Sequence, residues 1–470
     1  MIRSLGLAAL AGALVSSHAS AQNRESPFES AAASRFADSV LALMTLEEKL
    51  GQLSMAPGYG TQTGPQVSPG SQARIRAGTI GSYLLVFGAE LTRDLQKIAI
   101  EESRLRIPLM FAADIIHGHR TIYPIPLAEA ASFNPERVRQ SARFAAVEAT
   151  AHGLNWTFAP MVDIARDPRW GRISEGAGED PYLGSVMAAA KVRGFQGGDT
   201  PDFSSPNAML ATAKHFAAYG SPEGGRDYNT VDVSERTLWE VHLPPFEAAV
   251  KAGVASLMPS FNDVGGVPTH TSDWLLGDVL RKRWGFKGFV ISDWGAINEL
   301  RKHGVAASQV EAGILALRAG VDVDMAQYIY ADSLAPAVRA GVIPQAYVDS
   351  SARRVLRMKY ALGLFRTPIG SAIPLDNAGT LSRLSTSPPR GRRPAKRSCC
   401  SRTTTRRSHS GRISARLPSS GRLPTTRPRR SETGPGTGAK RTPSQCLLES
   451  ARRSRRRRGF FTRAELQSIP

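Results

Sequence analysis

The chain has 470 residues, 41% of them hydrophobic, with 43 glycines, three cysteines and a formal net charge of +20 from 60 Lys plus Arg against 40 Asp plus Glu. That length exceeds one small module and fits a large barrel or two to three domains, and the ordinary hydrophobic content excludes a wholly disordered chain. Beyond the first residues no apolar run reaches the ~20 residues of a membrane helix, which argues against a polytopic membrane protein, while +20 would fit an anionic partner if the charge were spread evenly.

Met1 to Ala21 reads as a secretory signal. Arg3 supplies the positive start, Leu5 to Val15 a short apolar stretch, and Ala19-Ser20-Ala21 a small-x-small cleavage pattern. A mature chain starting near Gln22 and working in the periplasm or outside the cell is expected, with no membrane attachment after cleavage. From about residue 35 to 365, short apolar runs alternate with amphipathic ones. Strands are predicted at Ile80–Val86, Pro108–Asp114, Trp156–Val162, Met209–His215, Ala255–Phe261, Phe289–Ser292 and Val321–Met325. Helices are predicted at Pro135–Ala151, Glu235–Ala252, Thr271–Trp284, Ser308–Ala319 and Pro344–Leu364. Repeated alternation implies a parallel sheet, and at least seven units predict an α/β fold of the (β/α)8, TIM-like barrel type over residues 22–365. No G-x-G-x-x-G opens a helix after the first strand, so a dinucleotide fold lacks support.

The charge is not spread evenly. Residues 366–470 hold 25 of the Lys plus Arg and only four acidic residues, a net of +21, so the first 365 residues stand at −1. All three cysteines, Cys399, Cys400 and Cys446, also lie beyond residue 365. The body therefore has no cysteine for a disulfide, a zinc-thiolate site or a nucleophile.

In a barrel enzyme the chemistry sits at the carboxyl ends of the strands. Those ends are polar here: Asp114; Asp163 with Arg166 to Arg172 beyond it; Lys214-His215; Met258 to Asn262; and Ser292-Asp293-Trp294-Gly295. Carboxylates, guanidiniums, a lysine and an imidazole converging beside an indole fit a polyhydroxylated ligand. Hydroxyls pair with charged donors and acceptors, and the C–H face of a sugar ring stacks on Trp294. Each residue alone also has a plain reading, such as a helix cap, a solvated charge or a turn; their regular placement carries the inference.

At these residues the sequence resembles glycoside hydrolase family 3, over roughly residues 36–365. Gly285-Phe-Lys-Gly-Phe-Val-Ile-Ser-Asp-Trp-Gly295 is similar to the family's nucleophile segment, which implies Asp293 as catalytic carboxylate. Asp114 in Phe-Ala-Ala-Asp-Ile-Ile-His-Gly, Arg172 in Asp-Pro-Arg-Trp-Gly-Arg, and Lys214-His215 match the family's glycone contacts; Met258 and Phe261 match the loop lining the first subsite. Many relatives carry tyrosine at the position of Phe261, so that hydroxyl contact is absent here. The resemblance implies a retaining, exo-acting β-glycosidase, β-glucosidase-like with β-xylosidase specificity as the alternative. Asp293 would form a glycosyl-enzyme, helped by a second carboxyl group about 5–5.5 Å away. Lys214, His215 and Arg172 are expected to hold Asp293 at a low pKa by charge proximity. No cofactor and no metal are implied; His117, His119 and His215 lack the spacing of a zinc motif.

The resemblance puts the acid/base of the β-glucosidase-like branch on an α/β sandwich domain after the barrel. The N-acetylglucosaminidase branch carries an Asp-His dyad after its Lys-His pair, whereas Phe216 to Tyr228 lacks one here. No acid/base residue is therefore named. Where the sandwich is expected, residues 366–470 are low in complexity and rich in Arg, Ser, Thr and Pro, with little apolar periodicity. They read as a disordered tail produced by a frameshift near codon 366. Shifted by two bases, Arg397 to Thr403 permits Val-Val-Leu-Leu-Lys-Asn, Pro418 to Thr426 permits Val-Ile-Gly-Pro-Leu-Ala-Asp-Asp, and Arg366 to Gly370 permits Asp-Pro-Tyr-Arg, all family-like and in order. Two other readings stay open: a sugar-binding remnant with poor turnover, and a basic nucleic-acid binder with salt-dependent affinity. The expected partner is a β-glucoside or oligosaccharide, with no specific nucleic acid.

Overall fold

A computed structural model describes residues 27–59, 66–203 and 205–368. The expected signal segment and, apart from Arg366 to Pro368, the expected tail lie outside the described residues.

Eleven strands occur among the described residues: β1 (Ser54–Tyr59), β2 (Gln66–Val67), β3 (Ser82–Leu84), β4 (Met110–Ala113), β5 (Trp156–Thr157), β6 (Thr212–Phe216), β7 (Ser256–Pro259), β8 (Asp263–Val264), β9 (Val267–Pro268), β10 (Phe289–Val290) and β11 (Asp324–Met325). One parallel run has the order β11-β1-β3-β4-β5, with β2 antiparallel on β1. A second parallel run has the order β10-β7-β6. Parallel bridges Trp156–Leu210 and Met161–Lys214 lie between β5 and β6, and Ile291–Val323 lies between the ends of β10 and β11. The fold is mixed α/β, built on parallel strands separated by helices, as the alternation predicts.

The seven predicted runs each overlap a strand; β6 runs one residue past the predicted end, to Phe216. The sequence reading missed β1, because Pro57 and Gly58 interrupt it and both disfavour strand interiors. Here Gly58 is closely packed: a Cβ would meet Val86 Cγ2 at 2.7 Å and Leu85 O at 2.8 Å.

Helices separate most of the strands along the chain, and the ends of several follow local chemistry. Thr45 and Glu48 form a capping box at Leu46–Gln52. Asn134 and Asp180 cap Pro135–Ala151 and Pro181–Phe195, each with proline in the first turn. The Pro181–Phe195 helix is absent from the predicted set. Its charged residues are few, and it buries Met187, Ala188, Val192 and Phe195 with little amphipathic contrast.

The interior between the strands is aromatic and polar in a satisfied way. Trp156 is fully buried, with its ring edge-on to Phe158 and Phe289. Its Nε1–H donates to Thr212 Oγ1 at 2.8 Å and to Ser256 Oγ at 3.2 Å. At the other end of the strands, buried Lys359 on the last described helix (Gln345–Ala361) donates to Gln52 Oε1 (2.5 Å), Gly81 O (2.9 Å) and Pro108 O (2.6 Å). Burial pushes its pKa down to about 7.

Candidate active site

The carboxyl ends of β4, β5, β6 and β10 bring charged residues together. Asp114 directly follows β4, and its side chain is 45% exposed. Lys214, on β6 and almost wholly buried, donates from Nζ to Asp114 Oδ1 at 2.5 Å. An exposed carboxylate is thus anchored on a buried ammonium.

His215 follows on β6 and is buried. Asp163 Oδ2 accepts from the His215 backbone N–H (2.9 Å) and sits 2.8 Å from His215 Nδ1. On the other side of the ring, Nε2 lies 3.1 Å from Arg172 Nη2 and 3.5 Å from Asp293 Oδ2. Burial, then the positive charges of Arg172 and Lys214, hold His215 well below its ordinary pKa, so the imidazole is neutral.

Arg172 lies in the turn Gly171–Glu175, half-buried. Glu175 accepts from it twice, at Nε (2.7 Å) and Nη2 (3.1 Å), a bidentate pairing. Burial opposes its charge, but Glu175 outweighs that and holds Arg172 more firmly protonated than usual. Its guanidinium lies over the Tyr219 ring, 5.4 Å from the centroid.

Asp293 begins the turn after β10. Trp294 N–H donates to its Oδ1 at 2.7 Å, and its own N–H donates to His270 Nε2 at 3.3 Å. Gly295 completes the turn with φ +68°, which glycine adopts without strain. The side chain of Asp293 is 14% exposed. Burial lifts its pKa to about 6; Lys214, the Trp294 amide and Arg172 pull it down, and Asp114 adds to the lift. The expected low pKa is thereby corrected. Desolvation exceeds the attraction of the cations, and neutral His215 contributes none.

Trp294 is 48% exposed, an indole open to solvent beside Asp293. Met258 is buried in β7, in register with Lys214. Phe261 is half-buried and packs against Tyr228 (5.0 Å) and Tyr219 (6.0 Å). Trp170 extends this aromatic wall and donates from Nε1 to Asp227 Oδ1 at 2.8 Å.

His117 and His119 make their contacts elsewhere. His117 Nδ1 bonds Tyr123 O, and His119 Nε2 lies 2.6 Å from His152 Nδ1. Among the described residues no group of three or more His, Cys, Asp and Glu side chains is disposed to hold a metal ion. The sequence reading placed Asp163 only at a strand end and gave Glu175 no role in the site. It missed Trp170, Tyr219, Asp227 and Tyr228 as site residues. The Asp-Pro-Arg-Trp-Gly-Arg motif contains Trp170 and points toward it; nothing local marks the other three.

A family model described as the glycosyl hydrolase family 3 N terminal domain matches residues 45–358. The chain is 43% identical over 353 residues to a periplasmic beta-glucosidase of Salmonella typhimurium, covering 75% of this chain and 45% of that protein. It is 40% identical over 297 residues to a beta-xylosidase of Formosa agariphila, covering 59% and 40% respectively. Among solved structures, a beta-glucosidase from Listeria innocua in complex with gluconolactone superposes with a TM-score of 0.69 at 38% identity, covering 75% of this chain and 49% of that one. The chain spans less than half the length of these curated relatives. The matched span contains every strand among the described residues and every site residue named above, and the chain belongs to glycosyl hydrolase family 3.

Proposed function

We propose that this chain is the catalytic barrel of an exo-acting, retaining β-glycosidase that removes terminal β-D-glucosyl residues through a glycosyl-enzyme on Asp293. The observation that carries this reading is the meeting of Asp293 with Arg172, His215 and the Lys214–Asp114 pair beside the exposed indole of Trp294. Asp293 Oδ1 is engaged by the Trp294 amide, so Oδ2 is the oxygen left to attack. Attack on the anomeric carbon forms the Asp293–sugar bond as the bond to the aglycone oxygen breaks; that oxygen takes a proton from an acid group, and water later releases the sugar. Asp114 accepts from sugar hydroxyls while Lys214 and Arg172 donate to them. Trp294 stacks on the ring, and Phe261 and Met258 line and support the first subsite.

The (β/α)8 reading is supported by the pairings. The bridges between β5 and β6 and between β10 and β11 connect the two parallel runs into a circuit of eight strands: β1, β3, β4, β5, β6, β7, β10 and β11. We further propose residues 1–21 as a signal, 22–365 as the barrel and 366–470 as an out-of-frame tail. Periplasmic or secreted placement is supported by the periplasmic relative, and among the described residues no helix is long and apolar enough to cross a membrane. Mass spectrometry of the mature N-terminus tests the signal, and the gene's DNA through codon 366 tests the tail.

The central test uses an aryl β-glucoside with a good leaving group, which needs little acid help. Incubation with its 2-deoxy-2-fluoro counterpart should add one sugar mass to the peptide carrying Asp293. Asp293→Ala should lower hydrolysis by about 10³-fold or more. Unchanged hydrolysis in Asp293→Ala would sink the reading. The β-xylosidase-named relatives favour a second specificity, so the aryl β-xyloside is the comparison substrate. A burst followed by stalled turnover would point to the sugar-binding remnant.

A further inference from the structure

Asp163 is 2% exposed and reaches no solvent from which substrate enters, yet both hydrogen bonds to its Oδ2 come from one residue, His215. Those bonds decide the protonation of the ring. Arg172 Nη2 lies 3.1 Å from His215 Nε2, and a guanidinium only donates. Nε2 must therefore accept, and the single ring proton sits on Nδ1, donated to Asp163. In the other tautomer an Nε2–H would meet the Arg172 N–H head-on. It would turn instead to Asp293 Oδ2, 3.5 Å away, the oxygen left free by the Trp294 amide.

We propose that Asp163 is a positioning residue for the glycosidic reaction: it locks His215 in the Nδ1–H tautomer, so the imidazole holds Arg172 and donates nothing to the attacking oxygen of Asp293. This rests on the reading of Asp293 as nucleophile. A carboxylate oxygen that accepts a hydrogen bond from a neighbour is less basic and less nucleophilic, so a free Oδ2 favours attack. The charged and titratable groups facing this cluster are Arg172, Glu175, Lys214, Tyr219, His270 and Asp293, and burial lifts the Asp163 carboxyl itself to about 7. Glu175 holds the far side of Arg172, so the guanidinium is fixed between a carboxylate and a lone pair.

The test combines nitrogen NMR of the imidazoles with kinetics, on the full chain. His215 is identified as the signal lost in His215→Asn. In the wild type its Nε2 should read as unprotonated and its Nδ1 as protonated at about pH 8, above the value of about 7 to which burial lifts the Asp163 carboxyl. In Asp163→Asn part of the Nε2 signal should move to the protonated type. Turnover of the aryl β-glucoside should then fall by about 10²-fold or more, with KM little changed. The acid limb of the rate profile should also move to lower pH, because an Nε2–H donated to Asp293 favours its ionised form. A protonated Nε2 in the wild type would overturn the proposal, and needs no variant to be seen. So would an Asp163→Asn protein that loses thermal stability but keeps the tautomer and the acid limb. If Asp293→Ala hydrolyses normally while the tautomer is as stated, the nucleophile assignment has failed and the lock on His215 has not.

Discussion

A carboxylate that attacks carbon must be ionised and yet remain basic; in Asp293, the proposed nucleophile, burial keeps the group basic while Lys214 and Arg172 favour its ionised form. Its neighbours Lys214 and Arg172 favour the charged form, but desolvation wins and sets the group at about 6. Below that pH the acid form predominates and could not attack; above it the carboxylate would, on the proposed reading. The rate of glycosyl-enzyme formation should therefore rise with pH through an apparent value near 6 and level off above about 7. A rate flat down to about pH 4 would contradict this. Asp293 itself was legible in the sequence because its segment is contiguous, and Asp114, Arg172 and Lys214-His215 were legible for the same reason. Asp163 was legible only as a polar strand end; its pairing with His215 was not, because no contiguous motif links the two residues. Glu175 was hidden among glycines, and its pairing with Arg172 is a matter of turn geometry rather than spacing. The sign of the Asp293 shift was also illegible, since neighbouring charges can be read from a motif and depth of burial cannot.

At the level of elements, the alternation of strands and helices was readable because several helices carry their own N-caps and most strands sit in an apolar run. β1 escaped because its Pro57 and Gly58 follow the packing of neighbouring strands rather than local propensity. Lys359 illustrates the opposite case. It reads as an ordinary surface lysine near a helix end, but its amine lies among acceptors that precede β1, β3 and β4. Its pKa falls from 10.5 unfolded to about 7 folded. Between those values the unfolded chain binds more protons, so this group makes stability rise with pH across that window. Below about 7 the buried charge carries its full cost. Lys359→Met should abolish that rise and, at about pH 9, should destabilise the fold by about 1–3 kcal/mol through acceptors left unpaired. Denaturant melts of both proteins at pH 6 and pH 9 check it; parallel pH dependences would refute it.

Across the whole molecule, the candidate site lies where the two parallel runs of strands meet. Asp114 and Asp163 come from the run ending in β5, and Lys214, His215 and Asp293 from the run of β6, β7 and β10. Polar contacts between the runs thus hold the candidate site together. The same contacts pair almost every charge in the site: Asp114 with Lys214, and Arg172 with Glu175. With those charges matched inside the protein, the neutral sugar proposed as substrate would displace no counter-ions on entering. Recognition should then be nearly indifferent to ionic strength. KM for a neutral aryl glucoside should change by less than about twofold between about 50 and 500 mM salt. Retention of the same +20 chain on a polyanion should fall steeply over that range. A molecule whose overall charge invites salt effects would thus carry a site that ignores them.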